Sequence, residues 1–391
     1  MDIRQVVATE YEEVEQLREY SFSSVYNAEK LKDFQYWMQH SATLGSFVDG
    51  KLVGQILVLP LNLTMRGQNF NMGGIGFVAT YPEYRNQGIM KKLMIYALET
   101  MRENKQNISV LAPYSVSFYH YFGWSLFNDV LRFDISPANF PRLGKKVDRI
   151  KRTSFKHKDV QLFEDIKNYH NEVVAKNPGA MIRDHAWWNR IEARQPYAHF
   201  AAVFNDEQEV IGYIRYEIIG LTFTIEDFYA TNYAAEAAIW RFVVAHEASI
   251  NRITGICHAT MKVGITLPEP QFTQQIKQET MLRIVDVAAF FTDFLWQQDD
   301  LSLYMSVSDP FAQWNNGIFH VTSNGVTIVD EATLKEQPIV ELTINTVALL
   351  VSGYASVQQL RYYDLLQMTD ETANQWDKAF PTQASFFNEY F

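Results

Sequence analysis

Arg85, Asn86, Gln87 and Gly88 form a short loop, and Ile89, Met90 and Lys91 begin a helical pattern directly after it. Together these residue types suit an anion. A helix start exposes N–H groups without helical partners and carries a partial positive charge. Glycine lets a phosphate approach the backbone closely. Arg85, Lys91 and Lys92 add positive charge in a chain whose net charge is −11. A pyrophosphate would fit here. The competing reading is an ordinary strand-to-helix turn, because R-x-x-G is a short pattern with many false positives.

The elements that must hold this loop lie on either side of it. Phe77, Val78, Ala79 and Thr80 are an apolar, partly β-branched run that reads as a buried strand, and Pro82 stops it. After Gly88, apolar residues recur at Met90, Leu93, Met94, Ala97, Leu98 and Met101, which makes one buried helical face. Upstream, residues 11–20 read as a helix. Residues 44–49 and 52–59 read as a hairpin around Asp49-Gly50-Lys51. Asn71-Met72-Gly73-Gly74 reads as a break ahead of the strand. Residues 108–112 give another strand, followed by the aromatic stretch PYSVSFYHYFGW at 113–124.

The run VAT-x-P-E-Y-R-x-x-G-x-M-K-x-L resembles the coenzyme A signature of the GNAT acetyltransferases, R/Q-x-x-G-x-G/A. Met90 stands where most of them have a small residue, a departure tolerated in the Eis (enhanced intracellular survival) branch. Tyr119-His120-Tyr121-Phe122-Gly123-Trp124 resembles that branch's Tyr-x-x-Phe-Gly-aromatic pattern. The resemblance implies acetyl-CoA as donor and a primary amine as acceptor: an aminoglycoside, a polyamine or a lysine side chain. It implies that Val78, Ala79 and Thr80 meet the pantetheine arm and thioester. It gives Arg85, Asn86, Gln87, Gly88, Ile89, Met90 and Lys91 to the pyrophosphate, and sets Tyr114 and Ser115 at the coenzyme's border. Tyr119 maps to the proton donor. Eis-like enzymes use their terminal carboxylate as base, here that of Phe391. The family also implies a ring-like homo-oligomer, hexamer or trimer.

Blander roles compete at several positions. Tyr114 and Tyr121 read equally well as half-buried aromatics. His120 is not required by the pattern, and Glu83 lies past Pro82 and points to the loop. The end of the sequence, SFFNEYF at 385–391, is aromatic where termini are usually polar, so it reads as tucked into the protein. Simple anchoring is the alternative to a catalytic carboxylate there.

A length of 391 residues calls for two or three domains. The acidic balance argues against a nucleic-acid partner and suits a cationic small substrate. One cysteine, Cys257, allows no internal disulfide and fits a reducing, cytoplasmic home. It reads as a core thiol. No signal peptide and no membrane-spanning run is expected. The nine histidines show no metal-ligand spacing, so no metal is expected.

The fold class expected is mixed α+β. A coenzyme-binding GNAT domain at 1–150 precedes a second, inactive GNAT-like domain at 151–285. There, the Ala230-Thr231-Asn232-Tyr233 connection lacks a glycine and R-x-x-G. A basic, proline-containing linker at 137–152 joins the two. A sterol carrier protein-like α+β domain at 286–391 completes the chain. The rival to an enzyme is a non-catalytic acyl-CoA or lipid sensor that uses this last domain.

Overall fold

The computed structural model describes residues 1–22, 27–146, 148–334 and 337–391; Val147, within the expected linker, lies outside them. The chain forms two compact units, 1–128 with 279–391, and 129–278.

The first unit opens with β1 (Asp2–Gln5), α1 (Tyr11–Phe22) and α2 (Ala28–His40). β2 (Ala42–Val48) and β3 (Lys51–Met65) form the expected hairpin, with Asp49 and Gly50 both at positive φ in its turn. β4 (Gln68–Thr80) follows, then α3 (Ile89–Glu103), β5 (Ile108–Leu111) and α4 (Val116–Tyr121).

Asn71-Met72-Gly73-Gly74 is not a break. It lies inside β4, paired with β3 from Asn62↔Asn71 to Leu59↔Gly74. The glycines serve close approach rather than a turn. A Cβ on Gly73 would collide with Met101 of α3, and one on Gly74 would come within 3.0 Å of the Phe391 ring.

α3 packs Ile89, Leu93, Met94, Ala97, Leu98 and Met101 against Val53, Ile56, Val58 and Ile75. Ile89, not Met90, completes the buried face; Met90 is only half-buried. Burying such a row of side chains stabilises the pairing by about 1.5–3 kcal/mol each.

The second unit takes up the chain within β6 (Ser125–Ile135) and continues through β7 (Ile150–Ser154), α5 (Val160–Lys176) and α6 (His185–Arg194). β8 (His199–Phe204), β9 (Val210–Ile219), β10 (Thr222–Ala230), α7 (Tyr233–Val244) and β11 (Arg252–His258) follow. Its strand order is β6-β11-β10-β9-β8-β7, and Trp240, Ile239 and Val243 of α7 pack on Phe223, Ile225 and Phe133. Cys257 sits in that core, where burial pushes its thiol up to about 12.

β12 (Thr273–Ile284) returns the chain to the first unit, and its end pairs antiparallel with β5, giving β1-β2-β3-β4-β5-β12 there. After α8 (Val287–Asp293) come β13 (Ser302–Ser308), β14 (Gly317–Thr322), β15 (Gly325–Val329) and β16 (Ile339–Thr343). They form a separate sheet ordered β15-β14-β13-β16. α9 (Ile344–Val351), α10 (Val357–Tyr362) and α11 (Asp370–Ala379) follow.

Candidate active site

Within the first unit β4 and β5 run parallel, but their pairing stops at Gly74↔Val110 while β4 continues to Thr80. Past that point the β5-facing backbone groups of β4 have no strand partner among the described residues. A cavity of about 1000 Å³ lies there. Its wall includes Val78, Ala79 and Thr80 of β4 and Tyr114 beyond β5, with Arg85, Asn86, Gly88, Ile89, Met90 and Lys91 on the loop and helix start. Of the residues expected to meet a coenzyme, Gln87 and Ser115 do not line it. Gln87 turns back to donate to the Glu83 carbonyl at 3.2 Å, and Ser115 caps α4 by accepting from the Phe118 N–H at 3.4 Å.

The loop is shaped for an anion. Asn86 and Gly88 both adopt positive φ, 62° and 74°. Gly88 occupies the cap position of α3 with no side-chain hydrogen bond to the helix start. The N–H groups there are left for a ligand. α7 in the second unit is the contrast: the Asn232 side chain accepts from the Ala235 N–H at 3.0 Å and so occupies its helix start. Arg85 and Lys91, both exposed, make no ion pair among the described residues.

The wall also holds unspent polar groups. Among the described residues, the hydroxyls of Thr80 and Ser21 are buried without a hydrogen-bond partner, and both residues border the cavity. A buried donor left unpaired costs about 1–3 kcal/mol, so such groups call for a ligand or water. These residues fit a coenzyme A thioester: hydroxyls and strand backbone for the polar arm, and an uncapped helix start with two cations for the pyrophosphate.

Tyr119 lies on α4 and is 4% exposed. Its ring meets Phe118, Tyr114 and Trp124 at centroid distances of 5.0, 5.8 and 6.4 Å. Burial, with a smaller contribution from Tyr114, pushes its pKa well above the usual value. The hydroxyl stays protonated and makes no hydrogen bond among the described residues. Neither Tyr119 nor Phe391 is among the residues that line the cavity, whereas Tyr121, Phe118 and Phe122 of the same aromatic stretch, with Ser117 and the α1 residues Ser21 and Phe22, do line it. The sequence reading did not assign them there. The alternating aromatics at 118–122 were the available signal; α1 carried none.

Phe391 is held from several sides. Asn128 accepts from the Phe387 N–H at 3.1 Å and donates to its carbonyl at 2.8 Å. Tyr390 donates to Glu279 at 2.6 Å. Phe386 and Phe387 are buried. The Phe391 ring lies over Gly74, and a Cβ on Gly76 would sit 3.5 Å from its carboxyl carbon. The terminal aromatic segment is therefore tucked in against β4, just ahead of Val78. Among the described residues, no group of three or more His, Cys, Asp or Glu could hold a metal ion. No described helix is long and apolar enough to cross a membrane.

Known proteins share this architecture. An acetyltransferase (GNAT) domain matches residues 2–127, a second acetyltransferase (GNAT) domain matches 179–284, and a sterol carrier protein domain matches 287–388. An uncharacterized N-acetyltransferase of Streptomyces griseus is 23% identical over 271 residues, 63% of this chain and 65% of that protein. The chain thus spans about 65% of the length of the curated relatives it matches. A crystal structure from Enterococcus faecalis, described as a conserved protein of unknown function and probable N-acyltransferase, superimposes with a TM-score of 0.89. It is 24% identical, with 100% of this chain and 99% of that one covered. Eis1 from Mycobacterium abscessus superimposes with a TM-score of 0.81 at 18% identity, both chains covered completely.

The two acetyltransferase domains together take up more than half of the chain, which belongs to the GNAT acetyltransferase family. Its tandem domains ahead of a sterol carrier protein domain give it the Eis-like architecture within that family.

Proposed function

We propose that this protein is an N-acetyltransferase that moves the acetyl group of acetyl-CoA to a primary amine, on a small molecule or a lysine-type side chain. The observation that carries this reading is the cavity of about 1000 Å³, walled by Val78, Ala79 and Thr80 and by Arg85, Asn86, Gly88, Ile89, Met90 and Lys91 of the loop and helix start.

The neutral amine attacks the thioester carbon and a C–N bond forms. Backbone N–H groups at the end of β4 steady the oxyanion that develops. The C–S bond then breaks, and the departing thiolate takes a proton from the Tyr119 hydroxyl. The amine's proton passes through water to the Phe391 carboxylate, seated beside Gly76. Coenzyme A and an amide leave. The second GNAT domain, whose helix start is capped by Asn232, contributes structure rather than coenzyme binding. Limits at 150 and 285, a homo-oligomeric ring and a cytoplasmic setting belong to the same reading.

Release of free coenzyme A from acetyl-CoA, followed with a panel of aminoglycosides, polyamines and lysine peptides, tests it. Turnover with at least one amine is expected. No turnover with any of them, alongside tight lipid binding, would make the protein a sensor instead.

A further inference from the structure

The carbonyls at the end of α4 are taken up by residues from the last third of the chain. Asn345, at the start of α9, donates through Nδ2 to the His120 and Trp124 carbonyls, both at 3.1 Å. Ser125 returns a hydrogen bond from its hydroxyl to the Asn345 carbonyl at 3.0 Å. The Phe122 carbonyl accepts from Arg283, whose guanidinium is paired with Asp309; both side chains are fully buried. Asp309 is fixed in turn by the N–H groups of Phe311 and Ala312 at 3.0 and 3.1 Å and by Asn315 at 3.0 Å. Phe311 packs on the rings of Tyr121 and Phe122 at 5.0 Å each. Gly123, at φ 95°, admits this approach, since any Cβ there would collide with Arg283.

α4 is a helix of six residues. So short a helix is marginal by itself. Its direction depends on what holds its end.

We propose that Asn345 is a positioning residue for acetyl transfer: by holding the His120 and Trp124 carbonyls, it fixes α4 so that the Tyr119 hydroxyl faces the departing sulfur. This rests on the assignment of Tyr119 as proton donor. The sterol carrier-like domain then serves the chemistry as a buttress, whether or not it holds a lipid. Asn345 is not among the residues that line the cavity. A small misplacement of a reacting group costs up to about 100-fold in rate, so its removal should lower kcat by more than it weakens coenzyme binding, although α4 residues also line the cavity.

A double-mutant cycle tests this. Asn345→Asp keeps the shape and replaces the donor with an acceptor facing two carbonyls. Its kcat should fall about 10- to 100-fold, with a clearly smaller change in coenzyme A affinity by calorimetry. Tyr119→Phe should also fall by about 100-fold. The double variant should be no slower than Tyr119→Phe, because a positioning residue has nothing left to position. Additive losses would show that Asn345 acts elsewhere and overturn the proposal. So would wild-type kcat in Asn345→Asp while Tyr119→Phe is slow. A fully active Tyr119→Phe would instead remove the assignment on which the proposal stands. If Asn345→Asp does not fold, Asn345→Ala, which only deletes the donor, is read in the same cycle.

Discussion

Gly88 has a left-handed backbone, φ 74°, yet a Cβ built there meets nothing within 4 Å. Space is not what demands glycine at this position; the dihedral angle and the approach of a ligand are. Asn and Asp tolerate that backbone best among residues with a Cβ. Gly88→Asn and Gly88→Asp therefore share one backbone cost and differ only in charge. The Asp variant should bind coenzyme A at least about 10-fold more weakly than the Asn variant, since it sets a carboxylate against phosphate. Calorimetry decides, and equal affinities would mean that the pyrophosphate lies elsewhere. Tyr119 gives a second test at this scale. Its raised pKa means that the folded protein keeps this proton through neutral and mildly alkaline pH. No alkaline loss of kcat should arise from it below about pH 10. The loop was legible in the sequence because its residues are consecutive around one glycine. Ser21 was not, because it reaches the cavity from a helix much earlier in the chain, and nothing in its neighbours marks it.

At the scale of elements, strands and helices are legible where pattern and length agree, while the burial of a charged residue within them is not. TFTIEDFY reads as a strand, but its Asp227 is 1% exposed. Arg183 donates to both its oxygens, at 2.7 and 3.0 Å, and Arg215 at 2.9 and 3.1 Å. Those partners are distant in sequence, so no local pattern announces the pair. Burial would raise this carboxyl's pKa, but the two guanidinium groups outweigh it and hold it well below the usual range. A depressed pKa gives stability that is present above the unfolded value and is lost as pH falls through the folded one. The second unit should thus weaken in acid, below about pH 4. Asp227→Asn removes the carboxylate that the buried Arg183 and Arg215 share and should cost about 3–5 kcal/mol in urea unfolding at neutral pH. A loss under about 1 kcal/mol would mean that water already reaches these arginines. The misread glycines of β4 teach a related lesson. Gly73 and Gly74 mark close approach of Met101 and Phe391, and neither neighbour is visible from the strand itself.

At the scale of the molecule, the order of three domains was legible, because each repeats a recognisable sequence of elements. The return of the chain to the first unit at Glu279 was not. β12 reads TQQIKQETMLRI, polar for most of its length, and pairing with β5 is a long-range event. The same return brings Glu279 to Tyr390 and so helps to seat Phe391 beside β4. In the proposed mechanism the amine's proton goes to the Phe391 carboxylate, which must be held at a fixed place to take it. Adding a short peptide after Phe391 turns that carboxylate into an amide, which is no base, and pushes chain into the space beside Gly76. Phe387 remains clamped by Asn128 and buried, so most of the anchoring survives. The tagged protein should therefore keep its melting temperature to within a few degrees, about 1 kcal/mol or less. Its kcat/KM should nevertheless fall about 100-fold or more, the usual contribution of a general base. The same peptide placed before Met1 should leave kcat/KM unchanged. The two forms are compared with one amine, at one pH, with melting temperature as the control. Full activity in the form extended after Phe391 would exclude the terminal base. The proton would then have to leave through another carboxylate, with Glu83 the first to replace by Gln.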